Sequence, residues 1–127
     1  MHPLPDGRDL LIVRYFADVT DDPLEGRRER VILVDCTGKR LPLMENCTGA
    51  GNIAAYSKQV AFHCVQEQAG DHLLHRVVVF NTDGKQLIAV PRCRNPKWSS
   101  EHAMVCQKEL VNPDGQLELQ DKLVAIP

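Results

Sequence analysis

Arg30-Val31-Ile32-Leu33-Val34-Asp35-Cys36-Thr37-Gly38-Lys39-Arg40-Leu41 aligns without a gap on Arg76-Val77-Val78-Val79-Phe80-Asn81-Thr82-Asp83-Gly84-Lys85-Gln86-Leu87. Each stretch is an apolar run, a turn closed by Gly-Lys and a second apolar run. β-Branched residues suit strands, and glycine takes the positive φ of a tight turn without steric cost, so each stretch reads as a β-hairpin. Two more matches extend the series. Ala55-Tyr56-Ser57-Lys58-Gln59-Val60-Ala61-Phe62-His63-Cys64 aligns on Lys97-Trp98-Ser99-Ser100-Glu101-His102-Ala103-Met104-Val105-Cys106, sharing an aromatic-Ser pair, an alanine, a large apolar residue and a cysteine. Leu87-Ile88-Ala89-Val90-Pro91 recurs as Leu123-Val124-Ala125-Ile126-Pro127.

A fixed-period repeat decides the fold before any single element does. The matches define three antiparallel β-meander units at about 3–47, 51–93 and 94–127, within one all-β domain spanning 1–127. A β-sandwich or barrel is the alternative arrangement of the same strands. Helices are disfavoured, because Gly and Pro recur about every ten residues and no 3.6-residue apolar period persists. The Gly49-Ala50-Gly51-Asn52 stretch is a linker between units, since it lacks the Gly-Lys-Ser/Thr ending of a phosphate loop.

With 127 residues, 43% hydrophobic and 25% charged, the chain has an ordinary globular composition. A formal charge of −2 gives no bulk electrostatic drive toward nucleic acid. No apolar run approaches the roughly 20 residues of a spanning helix. The opening Met1-His2-Pro3-Leu4-Pro5-Asp6 lacks the basic and apolar regions of a secretory signal, which leaves the compartment unassigned.

The aromatic-Ser pairs (Tyr56-Ser57, Trp98-Ser99), the Pro5-Asp6-Gly7-Arg8 turn before an apolar strand, and the Asn81-Thr82-Asp83-Gly84-Lys85 hairpin resemble the repeats of TolB-type β-propellers. The resemblance covers most of the chain in degenerate form: Ser57-Lys58 and Ser99-Ser100 stand where the family has Pro-Asp-Gly. It implies blade-like units. Propellers close with 4–8 blades, which protects their sheet edges. Three units therefore imply a second copy completing a ring, a longer propeller, or a different closure.

The five cysteines follow the repeat. Cys47 and Cys93 lie at matching unit ends, and Cys64 and Cys106 at matching strand positions. The expected bridges are Cys47–Cys64 and Cys93–Cys106, each clipping one unit to the next, with Cys36 left as the odd thiol. Such pairing implies a periplasmic or extracellular location. His63, Cys64, His102 and Cys106 raise the question of zinc. However, an i,i+4 pair on a strand is about 13 Å apart, unlike the usual ligand spacings. No metal or cofactor is expected.

No catalytic signature frames Asp35, Cys36 and His63, the residues a pocket at a repeat junction would use. The expected function is thus a non-enzymatic, protein-binding scaffold, with self-association as one route to a covered edge. A small inhibitor of one protein target, or an enzyme or ligand binder with a junction pocket, are the alternatives. Corresponding polar loops at Asp18–Arg30 and Glu67–His75 supply the expected contact surface: Asp21, Asp22, Glu25, Arg27, Arg28, Asp71, His72 and His75.

Overall fold

The structure, a computed structural model, describes residues 2–5, 7–16 and 27–127. Among the described residues eleven strands run β1 (His2–Pro3), β2 (Asp9–Phe16), β3 (Arg27–Val34), β4 (Arg40–Cys47), β5 (Gly51–Tyr56), β6 (Gln59–Ala69), β7 (His72–Asn81), β8 (Gln86–Pro91), β9 (Cys93–Ser100), β10 (Ala103–Val111) and β11 (Leu117–Ala125). They form three antiparallel meander sheets in chain order: β1-β2-β3-β4, β5-β6-β7-β8 and β9-β10-β11. The described residues contain no helix.

Sequence alternation explains the stacking. Successive side chains of a strand point to opposite faces. In the second sheet Val60, Phe62, Cys64, Val78 and Phe80 join Leu10, Val31, Leu33, Leu43 and Cys47 of the first sheet in one apolar cluster. The intervening Ala61, Val77 and Val79, with Val90, join Met104, Cys106, Val124 and Ile126 of the third sheet in another. The second sheet is therefore the middle layer, and the unbroken apolar runs Val60–Phe62 and Val77–Phe80 are apolar because both their faces are covered. Phe62 and Phe80 stack with centroids 5.9 Å apart and planes 4° from parallel. Burial of each such side chain contributes about 1.5–3 kcal/mol.

One turn chemistry recurs at three hairpins. Asp35, Asn81 and Asn112 each accept a backbone N–H from Gly38, Gly84 and Gly115 on the main-chain carbonyl. Their side-chain oxygens accept the N–H four residues on, from Lys39, Lys85 and Gln116, each at 2.9 Å. This Asx cap needs a residue of positive φ to close, and Gly84 at φ 93° supplies it. A Cβ there would also come 3.2 Å from Leu41 of the first sheet, so the turn is seated as well as closed.

The Asn112–Gln116 turn thus completes the series that the Asp35 and Asn81 turns begin. Three sequence expectations about strands are corrected. Leu123-Val124-Ala125 is a segment of β11, opposite Ala103–Val105 of β10, whereas Leu87–Pro91 runs through β8, outside β7. The two pentapeptides thus match in sequence but occupy different strand positions. The Glu67–His75 segment is the end of a long β6–β7 hairpin rather than a loop, with only Gly70-Asp71 in the turn. Arg27 to Arg30 likewise lie in strand β3.

Both expected disulfides are present. Cys47–Cys64 (Cα–Cα 5.4 Å) joins the first sheet to the second. Cys93–Cys106 (5.9 Å) does not clip the second unit to the third, because Cys93 opens β9 and the bridge lies inside the third sheet. The two junctions still follow one path, since Thr48 accepts the N–H of Val65 just as Arg92 accepts that of Glu109. The pairs are compatible with an oxidising compartment, and Cys36 is free and exposed.

Closing loops of this length stabilises by about 3 kcal/mol each in the chain-entropy model. Alkylation without reduction should label Cys36 alone, and alkylation after reduction should label all five cysteines with a marked fall in Tm. Labelling of more than one thiol in the untreated protein would contradict the pairing.

Candidate functional site

The second and third sheets approach each other along their first strands, β5 and β9, and a groove of about 780 Å³ opens there. Neither strand edge is regular. The β5–β6 register breaks between Gly51 and Ala54, and the β10–β9 register between Val105 and Gln107. Asn52 (φ 49°) and Asn95 (φ 54°) take the left-handed conformation that asparagine tolerates better than most residues. Such irregularities re-aim side chains. Here they turn the two amides together: Asn52 Nδ2 donates to Asn95 Oδ1, and Asn95 Nδ2 donates to Gln107 Oε1 at 2.5 Å.

An aromatic pair forms the other wall. Tyr56 and Trp98 have centroids 6.1 Å apart and planes inclined by 30°. Trp98 is fixed because its Nε1 donates to the Ala54 carbonyl at 2.9 Å. Tyr56 is 42% exposed. Lys97, Gln107 and Asp121 complete the polar lining.

Behind the groove lies an ionic cluster. The Glu109 side chain is fully buried and accepts from Arg94 Nε at 2.7 Å and Arg94 Nη2 at 2.5 Å. It also accepts from the His75 backbone N–H at 2.5 Å and from His75 Nδ1 at 2.9 Å. Burial opposes ionisation of this carboxyl, but the His75 and Arg94 donors prevail and hold it below the ordinary glutamate value. His63 lies against His75, ring centroids 4.7 Å apart. Burial, reinforced by the charges of His75 and Arg94, lowers the His63 pKa to about 4. It is therefore neutral at pH 7, with Nδ1 accepting the Asn95 N–H at 3.3 Å and the proton on Nε2.

These positions redistribute the residues singled out from sequence. Asp21, Asp22 and Glu25 lie outside the described residues. Arg27 and Arg28 are on β3, and Asp71 is at the β6–β7 turn. His72 is tied to the third sheet, its Nε2 donating to the Gly115 carbonyl at 2.8 Å. His75 is not a solvated loop residue, for its side chain is 13% exposed and faces Glu109. Asp35 and Cys36 are not brought to His63: Asp35 is occupied by Thr37 and Lys39 of its own turn. The Cys64 and Cys106 sulfurs are used in disulfides, which removes them from any set with His63 and His102.

Sequence reading did not single out Asn52, Asn95, Gln107 or Asp121. The repeated aromatic-Ser pair marked Tyr56 and Trp98 only as repeat features. The convergence of these residues depends on two register breaks, which leave no composition signal. No protein-family model, no curated protein and no solved structure matches this chain.

The cluster should make the protein less stable in acid. Unfolded His63 titrates near the ordinary histidine value of 6.5, so its contribution is complete above that pH and lost as pH falls toward about 4. Glu109 adds a second loss, beginning below the ordinary glutamate value of 4.5. Tm should fall from pH 7 to pH 4, and His63→Gln should flatten the part between about 6.5 and 4. An unchanged slope in the variant would contradict the assignment.

Proposed function

We propose that this chain is a non-enzymatic interaction module of propeller-blade-like repeats, and that the partner of its exposed third sheet is a second copy of itself. The outer face of that sheet carries the reading. Cys64 stands opposite Arg76 in the second sheet, and Cys106 opposite Lys122 in the third. This register places Ala103, Leu123 and Ala125 where the second sheet has Ala61, Val77 and Val79. The latter three are all 0% exposed, covered by the third sheet, whereas Leu123 is 71% exposed. Leu119 (43%) and Val111 (40%) add further exposed apolar surface on the same two strands. An apolar face of this kind favours a covering partner.

The edge supports the same reading. Strand β8 lies outside β7, but among the described residues no strand lies outside β11. Internal repetition suggests the occupant. The surface fitting a face of this type is that of Met104, Cys106, Val124 and Ile126, or of Phe62, Cys64, Val78 and Phe80. On the first sheet the counterpart of Val78 is Ile32, which alternates away from Val31 and Leu33 and so away from the second sheet, and which is 8% exposed in the single chain. Two chains joined third sheet to first sheet, twice over, would make a closed ring of six sheets, within the range propellers use.

Sedimentation velocity tests this. The oxidised wild type should be a dimer at micromolar concentration, and Leu123→Asp should be monomeric, still folded cooperatively, and without the concentration dependence of Tm that the dimer shows. A wild type that stays monomeric, or a dimer that survives Leu123→Asp, would overturn the reading.

A further inference from the structure

We propose that the β5–β9 groove binds a neutral oligosaccharide without cleaving it. The groove adjoins the dimer face, since Asp121 lies opposite Gln107 and between Leu119 and Leu123 on one side of β11, so binding is measured on the monomeric Leu123→Asp variant as well as on the wild type; the inference does not rest on the interaction-module reading.

Three properties of the groove point to that ligand. First, its apolar element is an aromatic wall in which Trp98 is held rigid from behind by the Ala54 carbonyl and Tyr56 stands partly in solvent. A pyranose offers a flat patch of C–H groups to such a wall, and an aromatic ring with one polar end tolerates the wet edge of the same sugar. Second, the surrounding polar groups mix donors and acceptors: Asn52, Gln107, Asp121 and Lys97. Each sugar hydroxyl both donates and accepts, so a mixed set of this kind satisfies several at once. Among the described residues of the lining, Lys97 and Asp121 offset each other, which favours a ligand without net charge. Third, Asn52, Asn95 and Gln107 are tied into one amide chain, so little ordering of these side chains is required on binding.

The geometry also disfavours the main competitor, an extended peptide added as an extra strand. Strand addition needs a regular edge with free N–H and C=O groups. Here both edges are broken, by the left-handed Asn52 and Asn95 and by their register shifts, and Pro96 removes a donor from β9. Recognition must therefore come from side chains. Hydrolysis of the sugar would ordinarily use two carboxyl groups flanking the bond. Among the described residues the groove lining holds one, Asp121, which favours binding without cleavage.

Trp98 is the sole tryptophan of the chain, so its fluorescence reports directly on the groove. The oxidised protein should be titrated with cellohexaose, chitohexaose and maltohexaose, and in parallel with polygalacturonate and an uncharged extended peptide. A saturable change in emission with at least one of the neutral sugars is expected. Tyr56→Ala should weaken that binding roughly tenfold, the scale of one lost aromatic contact. Asp121→Ala, at an exposed position, should weaken it without lowering Tm. Absence of a saturable response to all three sugars would overturn the proposal. So would a response unaffected by both substitutions, or binding confined to polygalacturonate or to the peptide.

Discussion

Strands β6 and β7 are buried on both faces, and the rest of the molecule depends on that constraint. A strand with one wet face alternates apolar and polar residues. Here Val60-Ala61-Phe62 and Val77-Val78-Val79-Phe80 have no polar position, so the hairpin cannot be satisfied by a single partner sheet. It needs a layer on each side. The first sheet takes the Phe62–Phe80 side and the third takes the Ala61–Val79 side. The two larger aromatic residues and the smaller alanine and valines thus face different neighbours, which gives the stack a direction.

That direction has consequences at both junctions. Each time the chain passes from one sheet to the next it lays a backbone segment against the second strand of the new sheet and fixes it with a disulfide, Cys47–Cys64 and then Cys93–Cys106. The bridges lie beside the apolar clusters rather than at the outer turns. Burying Glu109 at the second junction is tolerable because four donor contacts, from Arg94 and His75, replace the water it has lost. The same desolvated setting keeps His63 neutral beside it.

Much of this was legible in the residues. The three units, the all-β class, both cysteine pairs and two of the Asx-Gly turns followed from the internal repeat, because each rests on local chemistry at fixed spacing. What was not legible depended on register. Leu123–Pro127 copies Leu87–Pro91 in composition, yet it sits one strand earlier in its sheet. The Asn112-Pro113-Asp114-Gly115 turn comes after the second strand rather than the third. The polar segment Glu67–His75 suggested a loop, but a two-residue turn at Gly70-Asp71 lets both flanks continue as strand and turns His75 inward. The groove was hidden for the same reason, since two left-handed asparagines and two register breaks bring Asn52, Asn95 and Gln107 together.

The middle sheet is closed on both faces, and beside it the third sheet is left open on one. Residue-resolved hydrogen exchange on the oxidised protein, at a concentration low enough to keep it monomeric, tests this most directly. The amides of 60–64 and 77–80 should exchange only through global unfolding, while those on the outer edge of β11 should exchange many orders of magnitude faster. Equal protection of β11 and β7 would show that the third sheet is covered within one chain, and would contradict the account.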